Sequence, residues 1–275
     1  RVRSSAASDV YKRQFQFLVT SAIFALVGVS DFTTRLLPAL LGTVIVPLPF
    51  LLRRELGRIG ALFCAVVLCL SPSFLYFSRF YRNDIYVACF TLGMVACYWR
   101  FLQTRRPVWF VGALALLSLS FTAKENTFIT TFIFGSYVLL TLAYERWRPA
   151  RPLLLPAVRT LNLDAALAGF AAFALIFTFF FTTAFTWPQG LLAGLVKGIQ
   201  YWLAQQPVAR GSEPWWYYGS LLLPYEPLEV GLAIAGVVVA VRRRARFELF
   251  LVWWAALSIL LYSWASEKMP WLILH

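Results

Sequence analysis

The chain has 275 residues, 60% of them hydrophobic and 13% charged, with a mean hydropathy of +0.71 and a formal net charge of +13. No soluble domain of this length hides so much apolar surface, and the apolar runs are continuous rather than alternating, which excludes a β-barrel. The basic residues fall in short loops between apolar runs, so they read as topology signals and anionic-lipid contacts, and no nucleic-acid partner is expected.

Residues 1–14 are polar, begin without Met and do not continue into a helical pattern, so they read as a non-native leader. The apolar segment 15–29 is short, a span end or a helix lying in the interface. Spans are then expected at 34–52, 61–77, 85–101, 108–123, 127–144, 161–185, 219–241 and 247–265. The fold class is all-α: a polytopic transmembrane helical bundle of about eight to nine spans. Internal prolines such as Pro38, Pro47, Pro49 and Pro72 do not veto these spans, because neighbouring groups can satisfy the freed backbone. The last residues, Trp271-Leu272-Ile273-Leu274-His275, read as entry into a further span, so 15–275 is expected to be part of a larger domain. Cys64, Cys69, Cys89 and Cys97 all lie in apolar runs without a CxxC pair and read as small buried hydrophobes. The single histidine is His275, which leaves no histidine-based triad or metal cluster to build.

The loops alternate strictly between two kinds. One set is basic: Arg53, Arg54 and Arg58; Arg105 and Arg106; Arg146, Arg148, Arg151 and Arg159; Arg242, Arg243, Arg244 and Arg246. The other is mixed in sign: Asp31 with Arg35; Arg79, Arg82 and Asp84; Lys124 and Glu125; Glu213, Glu226 and Glu229; Glu267 and Lys268. The positive-inside rule places the first set in the cytoplasm and the second on the extracytoplasmic face of a multi-pass cell-membrane protein. The long outer segment 186–218 is rich in Trp and Tyr and suits an interfacial helix, a wall around a lipid or sugar, or a simple aromatic belt.

Three short motifs meet on the outer side: Arg79-Phe80-Tyr81-Arg82-Asn83-Asp84, Lys124-Glu125-Asn126 and Glu267-Lys268-Met269-Pro270-Trp271. Each mixes cation and carboxylate where leaving water is costly for a charge. Arginine offers forked donors to phosphate oxygens and lysine a compact point charge. A carboxylate can orient a base, accept a hydroxyl proton or help hold a divalent cation. No motif has a diagnostic metal spacing, so the cofactor stays open, with a divalent cation as one possibility. Together these groups suit a phosphate or pyrophosphate carried on a lipid. The plainer alternative is that the charges pair with one another and only stabilise the bundle.

Residues 28–42, from Gly28-Val29-Ser30-Asp31 through Arg35 and Pro38 to Gly42, resemble the second-span entry of GT-C superfamily glycosyltransferases, which include protein O-mannosyltransferases and the aminoarabinose transferase of lipid A. Residues 78–84 resemble the acidic outer loop after their third span, and Thr122-Ala123-Lys124-Glu125-Asn126 their lysine motif. With the 267–271 motif, the string is most similar to the flippase-activity-associated membrane proteins of surface-glycan clusters. The resemblance spans 15–275 and implies transfer of a sugar from a polyprenyl-phosphate donor to a glycan or protein acceptor on the outer face, among membrane lipids. It implies Asp84 as a catalytic-site carboxylate, Lys124 as a phosphate contact, and Arg79, Arg82, Glu125, Glu267 and Lys268 as further substrate-binding positions. The family's main catalytic acid lies in the first outer loop, upstream of residue 15, so this polypeptide is expected to lack its general base, along with the first span, and to be inactive alone. A lipid-linked-glycan flippase or transporter, or a non-catalytic scaffold of a glycan-assembly complex, are the alternatives.

Overall fold

The structure is a computed structural model that describes residues 14–148, 152–192, 194, 196, 200, 213–265 and 268–275. Among these residues every regular element is helical. Two helices open the chain, α1 (Gln14–Val27) and α2 (Asp31–Ile45). A capping box starts α2: the Ser30 hydroxyl accepts from Thr33 N at 3.1 Å, and Thr33 Oγ1 accepts from Ser30 N at 2.8 Å. A 3-10 turn (Leu48–Leu52) then leads into α3 (Arg53–Leu70), which is broken at Gly57 by a positive φ of 74°. The short α4 (Pro72–Phe77) delivers the chain to α5 (Asp84–Thr104), followed by α6 (Pro107–Ala123), α7 (Thr127–Trp147), α8 (Leu154–Arg159) and α9 (Leu163–Phe181). The last third holds α10 (Tyr217–Tyr225), α11 (Pro227–Arg243), α12 (Arg246–Trp264) and a closing 3-10 turn (Pro270–Leu274).

Each expected run is helical, but length and composition divide them differently. Among the described residues five stretches can cross a membrane: Asp31–Leu70, Asp84–Thr104, Thr127–Trp147, Leu163–Phe181 and Arg246–Trp264. A sixth counts if α10 and α11, bent by 110° at Glu226, are one broken span. The expected spans 34–52 and 61–77 fall within one interrupted 40-residue stretch. The run 108–123 forms a 17-residue helix, about 25 Å long and short of a hydrocarbon core of about 30 Å. Cys89 and Cys97 are buried as expected, whereas Cys64 is half-buried and Cys69 is exposed, because α3 turns one face outward.

The centre of the bundle is α5. Its 21 residues span about 31 Å, and 78% of its apolar window is buried in protein, against 17–28% for the other four stretches. In lipid the drive to bury it is close packing rather than escape from water. A Cβ at Gly93 would lie 3.1 Å from Leu116 Cδ1 and one at Gly112 3.2 Å from Cys97 Sγ, so α5 and α6 meet through small residues. Trp99, Phe247 and Phe250 pack one half of the core, and Phe15, Tyr86, Phe90 and Phe180 the other. This tight central helix fixes what happens at its two ends.

Candidate functional site

The site is at the start of α5. Ser71 caps α4 by accepting from Phe74 N, and Pro72 fills its first turn, so α4 ends at Phe77 and a short irregular segment reaches Asn83. Asn83 is buried, and its Nδ2 donates to Ala123 O at 2.8 Å. That bond ties the first turn of α5 to the last turn of α6. It sets Asp84, the next residue on one side, against Lys124, the next on the other.

Asp84 is fully buried, and its carboxylate bridges two cations. Lys124 Nζ donates to Oδ1 at 2.5 Å and Arg82 Nε to Oδ2 at 3.0 Å. Its place in the first turn of α5 also suits the positive end of the helix dipole. The Arg82 guanidinium lies 3.6 Å above the Trp271 ring, which the closing 3-10 turn brings to the same spot. His275 Nε2 lies 3.8 Å from Asp84 Oδ1, and its ring stacks on Tyr262 at 5.9 Å. Burial pushes the His275 imidazole below its ordinary value; Lys124 adds to this and Asp84 opposes it. Asn126 Nδ2 donates to Tyr262 OH at 3.4 Å, while Asn126 Oδ1 is buried without a partner among the described residues. A cavity of about 170 Å³ opens beneath, where the hydroxyls of Thr91, Thr130 and Ser258 and the rings of Tyr262 and His275 interrupt an apolar wall.

Of the residues expected from sequence, Asp84, Arg82 and Lys124 come together. Arg79 is exposed and Glu125 half-buried, and neither makes an ion pair among the described residues. Lys268 Nζ donates to Ala265 O at 3.0 Å instead of reaching Asp84. Glu267 lies outside the described residues, as does most of 186–218. The third motif thus reaches the site through the Trp271 ring and not through its lysine. Asn83, Tyr262 and His275 are additions that sequence reasoning did not assign. Asn83 could have been suspected, since it stands beside Asp84 at the same boundary. Nothing local marks Tyr262, whose place depends on how α12 packs.

Two further carboxylates are buried elsewhere. Glu145 accepts from the backbone N–H groups of Leu153, Leu154 and Leu155 at 2.8–3.1 Å, capping α8, and pairs with Arg246. Glu226 accepts from Ser71 Oγ at 2.8 Å and Ser73 N at 3.0 Å at the start of α4. Both act as helix-terminus caps supplied from a distant segment.

Among the described residues no three His, Cys, Asp or Glu side chains group as a metal site. At Asp84 both oxygens already face cations, so the donor set suits an anion better than a divalent cation. Among the described residues Lys124 and Arg82 each keep donors that no acceptor uses, which is what a phosphate needs. Residues 7–192, which include Arg82, Asp84 and Lys124, match the family model described as dolichyl-phosphate-mannose-protein mannosyltransferase. No curated protein and no solved structure matches the chain. With more than half of its length matched, the chain belongs to the dolichyl-phosphate-mannose-protein mannosyltransferase family and is a membrane glycosyltransferase of the GT-C type.

Proposed function

We propose that the protein transfers a sugar from a polyprenyl-phosphate donor to a protein or glycan acceptor on the extracytoplasmic face, with Arg82 and Lys124 holding the phosphate that leaves. The observation that carries this reading is the buried Asp84 carboxylate clamping two cations that, among the described residues, retain free donors. The family's description makes a mannosyl lipid the first donor to test. The alternation of basic and mixed loops supports the sidedness.

In the proposed reaction an acceptor hydroxyl attacks the anomeric carbon as the bond from that carbon to the phosphate oxygen breaks. Negative charge builds on the departing lipid phosphate, where fixed cations in a water-poor site stabilise it most. Asp84 serves as a positioning carboxylate. Its two oxygens are engaged by Lys124 and Arg82, so the acceptor proton goes to a different base. The apolar walls of the cavity that His275 and Tyr262 line suit the carbon skeleton of the donor, and the hydroxyls of Thr91, Thr130 and Ser258 suit a polyol.

The test is reconstitution in vesicles with tritiated mannosyl polyprenyl phosphate and a mixture of membrane and secreted proteins as acceptors. Protein-bound label that depends on Lys124 is expected. Label that stays on the lipid and crosses to the other leaflet would replace the transferase with a flippase. Cysteines placed near residue 84 distinguish the two again, since a flippase exposes them to both sides and a transferase to one.

A further inference from the structure

We propose that Arg100, with Arg53, Arg54 and Arg106 around it and Trp109 beneath it, binds the phosphate of an anionic phospholipid headgroup. The cluster is at the far end of α5 from Asp84. Sixteen residues of helix separate the two, about 24 Å, so the cluster belongs to the opposite surface of the apolar layer.

The fold gathers these arginines. The 3-10 turn Leu48–Leu52 packs on α5 and hands the chain to α3 at Arg53 and Arg54. At the end of α5, Arg105 takes a left-handed φ of 58° and Pro107 opens α6, so a two-residue turn keeps Arg106 at this end of α5. The bond from Gln103 Nε2 to Glu55 Oε1 at 2.7 Å ties the start of α3, where Arg53 and Arg54 stand, to the last turn of α5. The Arg100 guanidinium lies 5.3 Å from the Trp109 ring centroid.

Two other cations at this end have protein acceptors, although Arg105 Nη1 is buried without one among the described residues. Arg105 Nη2 donates to Leu153 O at 2.9 Å, and Arg246 pairs with Glu145. Arg100 Nε is buried and has no acceptor among the described residues. Glu55, the acidic residue of the neighbouring segment, is bonded to Gln103 Nε2 at 2.7 Å. Guanidinium cannot lose its proton to relieve the repulsion, so the missing element is an anion. Arginine forks fit phosphate oxygens bidentately, and the tryptophan face holds the cation in place. The source is a lipid because the cluster is at the end of a membrane-spanning helix, and the two helices that start there, α3 and α6, carry exposed apolar side chains at Ile59, Leu62 and Val108 that suit acyl chains.

The test uses the protein in nanodiscs of phosphatidylcholine with and without phosphatidylglycerol, with retained lipids counted by native mass spectrometry after transfer to detergent. Wild type should retain phosphatidylglycerol over phosphatidylcholine by about tenfold, and R100Q should bring that ratio close to one. R106Q, at an exposed position, should lower it several-fold and keeps the test alive if R100Q does not fold. The R242Q/R243Q variant removes two cations from α11 and should leave the ratio unchanged. Equal retention of both lipids by wild type, an unchanged ratio in R100Q and R106Q, or an equal loss in R242Q/R243Q overturns the site. Displacement of phosphatidylglycerol by low millimolar inorganic phosphate would overturn the lipid as its source.

Discussion

Lys124→Met keeps the stem of the side chain and removes its charge, leaving Asp84 with Arg82 alone. At 2.5 Å and an effective dielectric of about 20, the Lys124–Asp84 attraction is about 7 kcal/mol, and desolvation of the two groups offsets most of it. Stranding one partner of a buried pair nevertheless costs about 3–5 kcal/mol. Because Arg82 still holds Oδ2 at 3.0 Å, the low end applies, about 3 kcal/mol. The single variant should therefore lose both thermal stability and transfer. The double variant Asp84→Asn/Lys124→Met removes the stranded charge together with its partner and should regain most of the lost stability. It should not regain transfer. Loss of a fixed cation facing developing charge lowers the rate by roughly 10²–10³, and no repair of the pair replaces that cation. Tryptophan-fluorescence melting in detergent reads the first quantity, and protein-bound label from tritiated mannosyl polyprenyl phosphate the second. If the double variant recovers transfer along with its melting temperature, Lys124 is a structural partner only and the phosphate assignment is refuted.

Asn83→Ala breaks the bond that holds the start of α5 to the end of α6; it should cost about 1–3 kcal/mol and lower the rate of transfer more than donor affinity, and unaltered steady-state constants would contradict a positioning role. Trp271→Ala removes the ring under Arg82 and should weaken donor binding about fivefold, read as a higher KM; Trp271→Phe should retain part of the effect. Glu145→Gln leaves Arg246 facing a neutral amide and should cost about 3 kcal/mol of stability, yet KM for the lipid donor should stay at the wild-type value because Glu145 and Asp84 are at opposite ends of the bundle. Gly42→Val places a Cβ 2.4 Å from Ser78 Cβ, pushes the segment leading to Arg82 aside and should destabilise by about 1–3 kcal/mol, with transfer falling further than the melting temperature implies.

Apolar length made the helices legible in the sequence, and mixed charge at their ends made the Asp84–Lys124 meeting legible. Both signals are local. Arg82 follows for the same reason, since it is two residues from Asp84. The third motif was harder. Its charged pair drew attention, but the 3-10 turn at Pro270 points the Trp271 ring inward while Lys268 bonds a nearby carbonyl. Glu145 was hidden because it adjoins Arg146 in what reads as a basic loop; only the approach of α8 turns it into a cap. Glu226 was read as an outer-loop acid, yet it is the corner of a 110° bend and caps α4 from 155 residues away. Contacts at that separation leave no trace in local composition, and so the span 219–241 looked continuous when it is broken.

Asp84 and Glu145, the two most buried carboxylates among the described residues, differ as a functional ion pair differs from a structural one. A buried pair is weak evidence for stability, since apolar side chains of the same volume often hold a fold as well. Glu145 meets three backbone N–H groups and Arg246, so its oxygens are satisfied by groups that have to be satisfied somewhere, namely the orphan donors of a helix start. Removing the side chain would leave those donors unpaired, which is reason enough for an acceptor there. No such debt exists at Asp84. It accepts nothing from the backbone among the described residues, and its partners are two side chains that could have been apolar. Among the described residues each of those partners has donors left over, and His275, 3.8 Å from Asp84 Oδ1, lines a cavity of hydroxyls and aromatic rings. The fold therefore gains little from the Asp84 cluster that a methionine and two leucines would not supply. An anionic ligand gains a great deal, because its charge meets two cations whose positions are fixed before it arrives.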